Sequence, residues 1–223
     1  FFHSYHCSML SCVLLLSLAA GEIPHPYQHY CMQRFVRAIY ENELPLRLTA
    51  RKLLKKGEDW QNECEWKGVL CEEGIVDQIL AQRVPESFDL RWFPPTIRDI
   101  EMAGIHDAHN QLVTRLLPRS LRYCRIIYAE LQGSLDLRRL PLRVELLFLD
   151  DYHFEGEIYL VNLPRTLQIL SLTNNNISKV FVSNIALPKA LSSAKFFGNP
   201  QKLKIVSLDT DTVDSRVTTM PTT

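Results

Sequence analysis

Leu167-Gln168-Ile169-Leu170-Ser171-Leu172-Thr173-Asn174-Asn175-Asn176-Ile177 sets apolar side chains at Leu167, Leu170, Leu172 and Ile177, with Asn175 just before the last. Side chains alternate faces along a strand, so Leu170 and Leu172 share one face while Ile169, Ser171 and Thr173 share the other. Leu167 and Ile177 lie where the chain enters and leaves that strand. A segment this short cannot close a core by itself, so the pattern makes physical sense only if it is repeated and stacked.

It is repeated. Leu117-Pro118, Leu140-Pro141, Leu163-Pro164 and Leu187-Pro188, preceded by Phe93-Pro94, space their prolines 24, 23, 23 and 24 residues apart. Three residues after each proline the same frame opens: Leu121, Cys124, Ile126, Ala129 and Leu131; then Val144, Leu147, Leu149, Tyr152 and Phe154. The last unit keeps Leu191, Ala194, Phe196 and Asn199, and a degraded first unit keeps Ile97, Ile100 and Met102. Four units are secure and one is worn. A sandwich of short strands would also alternate apolar and polar residues, but it gives no reason for a constant period. After the turn, Gly133, Leu135, Leu137 and Leu140 are matched by Gly156, Ile158, Leu160 and Leu163, an alternation that predicts a second short strand on the flank.

The frame resembles the leucine-rich repeat, and the Gly-x-Ile/Leu run resembles its plant-type variety. Upstream, Cys64-Glu65-Trp66-Lys67-Gly68-Val69-Leu70-Cys71 resembles the C-x-W-x-G-V-x-C signature of the plant-type N-terminal cap, also seen in secreted protist repeat proteins. The resemblance runs from about Arg34 to Asp209. It implies an α/β solenoid, a leucine-rich-repeat horseshoe with a helical, disulfide-bonded N-terminal cap, in which Cys64 pairs with Cys71. It also implies that Asn175 turns inward to satisfy backbone groups of adjacent turns, with Asn199 of Gly198-Asn199-Pro200 doing the same in a closing unit. A cap is needed because an open solenoid end exposes apolar core. Its body is expected to be helical over 22–80, with Met32, Phe35, Val36 and Ile39 on one helical face and Leu46, Leu53 and Leu54 on a second helix. Arg47, Arg51, Lys52, Lys55 and Lys56 read as a solvated surface. The repeats are expected over 81–209, and the Thr- and Asp-rich 210–223 as a flexible tail.

The N-terminal 1–21 reads as a signal peptide, with an apolar run from Met9 to Leu18 followed by small residues at Ala19, Ala20 and Gly21. The mature chain is then expected to begin near Ala20 or Glu22 and to be secreted or held at the cell surface. No stretch is long enough to span a bilayer. Cys124 stands at a core leucine position and reads as a buried thiol; Cys31 is either buried or links two chains.

Lys plus Arg equals Asp plus Glu at 25 each, and 46% of residues are hydrophobic, which describes a folded chain with no field steering it to nucleic acid. Motifs for catalysis or cofactors are absent: there is no G-x-S-x-G, phosphate loop or H-E-x-x-H, so no cofactor, metal or enzymatic activity is expected. His106-Asp107-Ala108-His109 has the wrong spacing for a helical metal pair and reads as a surface turn; Asp150, Asp151, Glu155 and Glu157 read as a solvated loop. Asn176-Ile177-Ser178 is an N-glycosylation sequon at a turn.

Strand alternation names an exposed concave face: Tyr123, Arg125 and Ile127; Leu146, Phe148 and Asp150; Ile169, Ser171 and Thr173; Ser193, Lys195 and Phe197. Five of these, Ile127, Leu146, Phe148, Ile169 and Phe197, are large and apolar, and clustered exposed apolar residues mark contact sites. Four strands make a face roughly 15–20 Å wide, suited to a peptide or a protein edge. The expected function is non-catalytic binding of a protein or peptide. The alternatives are a structural protein that pairs with a second copy through the same face, and a worn paralogue with no selected partner.

Overall fold

The computed structural model describes residues 25–37, 62–82, 87–103, 106–107, 111–127, 130–200 and 202–220. One helix, α1 (His25–Arg37), precedes strands β1 (Val69–Glu72), β2 (Ile75–Gln82), β3 (Ser87–Phe88), β4 (Asp99–Ala103), β5 (His106–Asp107), β6 (Tyr123–Ile127) and β7 (Gln132–Gly133). Then come β8 (Leu146–Phe148), β9 (His153–Leu160), β10 (Ile169–Ser171), β11 (Asn176–Val182), β12 (Ser193–Lys195), β13 (Lys204–Ser207) and β14 (Val217–Thr218). The chain alternates between two sheets, which is how a repeat becomes a solenoid. The principal sheet has eight strands in the order β1-β2-β4-β6-β8-β10-β12-β14, and the flanking sheet four in the order β13-β11-β9-β7. Apart from the β1–β2 hairpin the pairings are parallel. A third, two-stranded ladder joins β3 to β5.

The apolar frame fills the space between the sheets. Leu121, Cys124 and Ile126, Val144, Leu147 and Leu149, and Leu167, Leu170 and Leu172 are all fully buried. The in-register pairs Cys124↔Leu147, Leu147↔Leu170 and Leu170↔Ala194 stack them into one column. The flank strand foreseen from Gly156 is present within β9, whereas β7 ends at Gly133 and the expected continuation through Leu135 and Leu137 is a loop and a 3-10 turn; the next unit adds β11 without any glycine at that point.

Two local devices recur once per turn. The amides of Ile97, Leu121, Val144, Leu167 and Leu191 donate to the carbonyls of Pro94, Pro118, Pro141, Pro164 and Pro188 at 3.0–3.3 Å, a tight turn that aims each new strand and accounts for the proline period. Past the strand, Asp151, Asn174 and Gly198 occupy one repeat position and all take a left-handed backbone, with φ of 64°, 53° and 72°. At Gly198 a Cβ atom would lie 1.8 Å from the Asn174 side-chain oxygen, so glycine is there for space as well as for conformation.

The cap, expected to be helical over 22–80 with two helices forming its body, is helical only in part. Among the described residues it holds the single helix α1, a 3-10 turn at Glu63–Glu65 and the β1–β2 hairpin, because Ile79 and Ala81 pair with Ile100 and Met102 as an additional repeat strand. The second expected helix, around Leu46, Leu53 and Leu54, lies outside the described residues, as does the expected signal segment 1–21. Met32 and Phe35 are buried as foreseen, with Phe35 packed on Phe93 at 5.1 Å. Cys64 and Cys71 are joined by a disulfide. Cys31 is buried in α1, which removes the option of linking two chains. Burial pushes the Cys124 thiol up to about 12.

The segment 210–223, expected to be a flexible tail, contributes the last principal strand: β14 pairs with β12 and buries Val217. Asn184 holds it in place by donating to the Thr212 carbonyl and accepting from the Asp214 amide. His106-Asp107, expected in a surface turn, forms β5, paired with Ser87-Phe88 in a separate two-stranded ladder, while Ala108 and His109 lie outside the described residues.

Candidate functional site

The outward residues of the principal sheet fall into rows set by strand register. One row runs Gln78, Asp99, Tyr123, Leu146, Ile169, Ser193, and the next Leu80, Glu101, Arg125, Phe148, Ser171, Lys195. The first four of the second row lie in β2 to β8, so the face is wider than the repeats legible in the sequence. The signal for its extra strand was Val76-x-x-Ile79-x-Ala81, which matches the frame but has no proline before it.

Tyr123, Ile127, Leu146, Phe148, Ile169, Lys195 and Phe197 are half-buried and Arg125 is exposed, all facing solvent as alternation requires. Tyr123 and Phe148 pack against each other with ring centroids 6.1 Å apart. Burial, followed by the nearby Glu101 carboxylate, pushes the Tyr123 phenol up, so it stays neutral. Arg125 approaches Glu101 at 3.8 Å. At the N-terminal side burial and Asp77 raise the Asp99 carboxyl.

Ser171 and Thr173 were expected to be exposed contact residues and are not: they are only 5% and 4% exposed. The reason is Asp150, one strand away. Its Oδ1 accepts from Ser171 Oγ at 2.6 Å, from Thr173 Oγ1 at 2.7 Å and from the Thr173 amide at 2.8 Å. Asp150 is therefore an internal acceptor that knits β8 to β10. Its neighbour Asp151 accepts from Asn174 Nδ2 at 2.7 Å, and Glu157 accepts from the Tyr159 hydroxyl at 2.7 Å, so these carboxylates, read as a solvated loop, are tied into the turns and flank.

The repeat asparagines do what the resemblance implies. Asn175 Nδ2 donates to the Leu149 and Thr173 carbonyls, both at 3.0 Å, and its Oδ1 accepts from the Phe154 amide at 3.1 Å. Asn199 repeats this with Leu172, Phe196 and the Ile177 amide. Asn176 is exposed at the start of β11, while Ser178 Oγ donates to the Gly156 carbonyl at 2.9 Å.

One buried polar cluster was not legible from sequence. Glu63, fully buried, accepts from Gln28 Nε2 at 2.8 Å and meets His29 Nδ1 at 2.9 Å, while Gln28 Oε1 accepts from the Val76 amide at 2.7 Å. It ties α1 to the cap hairpin. Its members are 34 to 48 residues apart, and no local pattern links them.

With the geometry in view, the chain is similar in fold to solved repeat ectodomains. The leucine-rich-repeat ectodomain of the receptor kinase SOBIR1 from Arabidopsis thaliana superposes with a TM-score of 0.57 at 17% identity, over 81% of this chain and 96% of that one. The BIR2 ectodomain from Arabidopsis thaliana gives 0.53 at 19% identity, over 79% and 94%. A chain of the BIR3–SERK2 complex from Arabidopsis thaliana gives 0.50 at 17%, over 78% and 93%. No protein-family model matches the chain, and neither does any curated protein.

Proposed function

We propose that this leucine-rich-repeat solenoid is a non-catalytic recognition module, secreted or exposed at a cell surface, that holds a protein or peptide on the solvent face of its principal sheet. The observation that carries the reading is the row structure of that face. Leu146 and Ile169 stand in register, Phe148 packs on Tyr123, and Arg125 and Lys195 flank this apolar centre. Aromatic and aliphatic side chains ringed by charge form the usual centre of a contact surface. Two further observations support it: the carboxylates Asp150 and Glu101 are engaged within the sheet, and the disulfide suits an oxidising compartment. No helix among the described residues is long and apolar enough to cross a membrane. The solved BIR3–SERK2 complex is an instance of this fold among protein partners.

The test begins with affinity capture on the purified chain, identification of retained proteins by mass spectrometry, and repetition with Phe148→Asp. Loss of a wild-type partner with an unchanged unfolding midpoint is expected, since an aromatic anchor commonly carries about 2 kcal/mol or more of binding energy. Unchanged capture would move the site off this face. Sedimentation of the same samples identifies the rival occupant: a wild-type dimer that Phe148→Asp dissociates means that a second copy covers the face.

A further inference from the structure

The turn that follows each proline carries a basic residue in four consecutive units: Arg119, Arg143, Arg165 and Lys189. Arg119, Leu142, Arg165 and Lys189 each precede by the same number of residues the in-register positions Tyr123, Leu146, Ile169 and Ser193, and Arg143 is one residue further on. The solenoid therefore sets Arg119, Arg165 and Lys189 along one edge at about one strand spacing, ~4.8 Å, per unit, with Arg143 stepped one residue out of that row beside Leu142. All four are exposed, and none makes an ion pair among the described residues. Overall charge is balanced at 25 and 25, so this row is a local concentration of unneutralised cations.

Beside the row is an open cleft of about 340 Å³ lined by Arg98, Arg122, Arg143, Glu145, Ser120 and Thr166. Arg122 is held against Glu145 at 2.8 Å and Arg98 against Glu72 at 2.9 Å, which fixes two guanidinium groups at its wall. Arg143 supplies the third, with hydroxyls on either side. In the middle of the row Leu142 is 81% exposed, an apolar contact among cations. A run of cations along one edge, an open cleft walled by three guanidinium groups and an apolar step between them suit a straight polymer with an acid on successive units and apolar ring faces.

We propose that this edge binds a linear acidic polysaccharide, of uronic acids or sulfated sugars, with one acid group seated in the Arg98–Arg122–Arg143 cleft. The Cys64–Cys71 disulfide favours an extracytoplasmic glycan over a nucleic acid. The edge lies beside the strands and does not share residues with the row of Tyr123 and Phe148, so the two surfaces succeed or fail independently.

The experiment measures retention of the purified chain on immobilised polygalacturonate, heparin, neutral dextran and a double-stranded oligonucleotide at about 0.15 M salt. Wild type is expected to bind at least one of the two acidic glycans, the uronate and sulfate arms separating the two chemistries, and to ignore dextran. The fourfold variant R119S/R143S/R165S/K189S is expected to bind about tenfold more weakly. A control of equal charge, K67S/R115S/K202S/K204S, is expected to bind like wild type. Leu142→Asp is a second variant that removes no cation and should weaken binding in the same direction. Equal losses in the row and control variants, absence of glycan binding by wild type, or stronger retention on the oligonucleotide would overturn the proposal.

Discussion

Tyr152 occupies in its own repeat the position that Asn175 occupies in the next, and the two solve the position in opposite ways. The asparagine makes three hydrogen bonds to the backbone of neighbouring turns. The tyrosine packs edge-on against Phe154 at 5.2 Å and buries a hydroxyl that has no hydrogen-bond partner among the described residues. Burial also drives its phenol upward, so it remains protonated and gains nothing from ionising. Tyr152→Phe should therefore be neutral or stabilising by about 1 kcal/mol, because it deletes an unsatisfied group and keeps the ring. Asn175→Leu should cost about 2–4 kcal/mol by orphaning two carbonyls and an amide. Urea unfolding midpoints decide between them, and a Tyr152→Phe variant as damaged as Asn175→Leu would contradict the account.

Leu170 and Ser171 are adjacent, and both are buried for different reasons. Leu170→Ala should cost about 2–5 kcal/mol through lost packing. Ser171→Ala removes one of three hydrogen bonds to Asp150 and should cost about 1 kcal/mol, more than an exposed serine would. Asp150→Ala strands all three donors and should cost more than Ser171→Ala. The order of the three midpoints is the measurement.

A three-residue Asp–x–Arg clamp recurs at Asp89-Leu90-Arg91, Asp136-Leu137-Arg138 and Asp214-Ser215-Arg216. In each, the carboxylate accepts from the arginine amide and from its guanidinium. The equivalent turn before Leu117-Pro118 begins with Val113, which provides no side-chain cap, and leaves Arg115 exposed. Val113→Asp should complete the clamp and raise stability by about 0.5–1 kcal/mol. A higher thermal midpoint, reduced but not abolished when Arg115→Ala removes the guanidinium and leaves the capped amide, is the expected result.

Acid should loosen the two ends of the solenoid. Burial pushes the Glu63 carboxyl up, but hydrogen bonds from His29 and Gln28 outweigh it and hold the group below its usual value. The Arg216 guanidinium and amide hold Asp214 down at about 2. Both groups bind protons more weakly folded than unfolded, so their stabilisation is complete above the unfolded values, about 4.3 and 3.9, and is lost as pH falls through the folded ones. Unfolding midpoints measured from pH 7 to about pH 2 should drop in that window. Glu63→Gln and Asp214→Asn should each flatten part of the drop.

The Cys124 thiol, fully buried and raised to about 12, should resist alkylation in the native protein at neutral pH and react once denaturant is added. Mass spectrometry of iodoacetamide-treated protein reads this directly. Native labelling of Cys124 would place its strand in the wrong register.

The sequence by itself determined the repeat. Alternation along a strand and a constant proline spacing are local properties, so the inward set Leu147, Leu149, Leu170 and Leu172 followed from position alone, while the inward turn of Asn175 and Asn199 followed from the resemblance of the frame to the leucine-rich repeat. The likeness of Cys64–Cys71 to a known cap motif pointed to the disulfide in the same way. What alternation could not say is which outward residues remain in solvent. It assigns a face, and burial on that face depends on what the neighbouring strand brings into register: Asp150, arriving opposite Ser171 and Thr173, turned two expected contact residues into internal donors. The ends of the molecule were decided only by tertiary structure, because their contacts join distant segments. Asn184 draws the C-terminal segment into β14, and Gln28 and His29 reach across the chain to Glu63. A stacked unit inherits its place from the unit before it, whereas an end has no neighbour to copy and must be closed by contacts that carry no period.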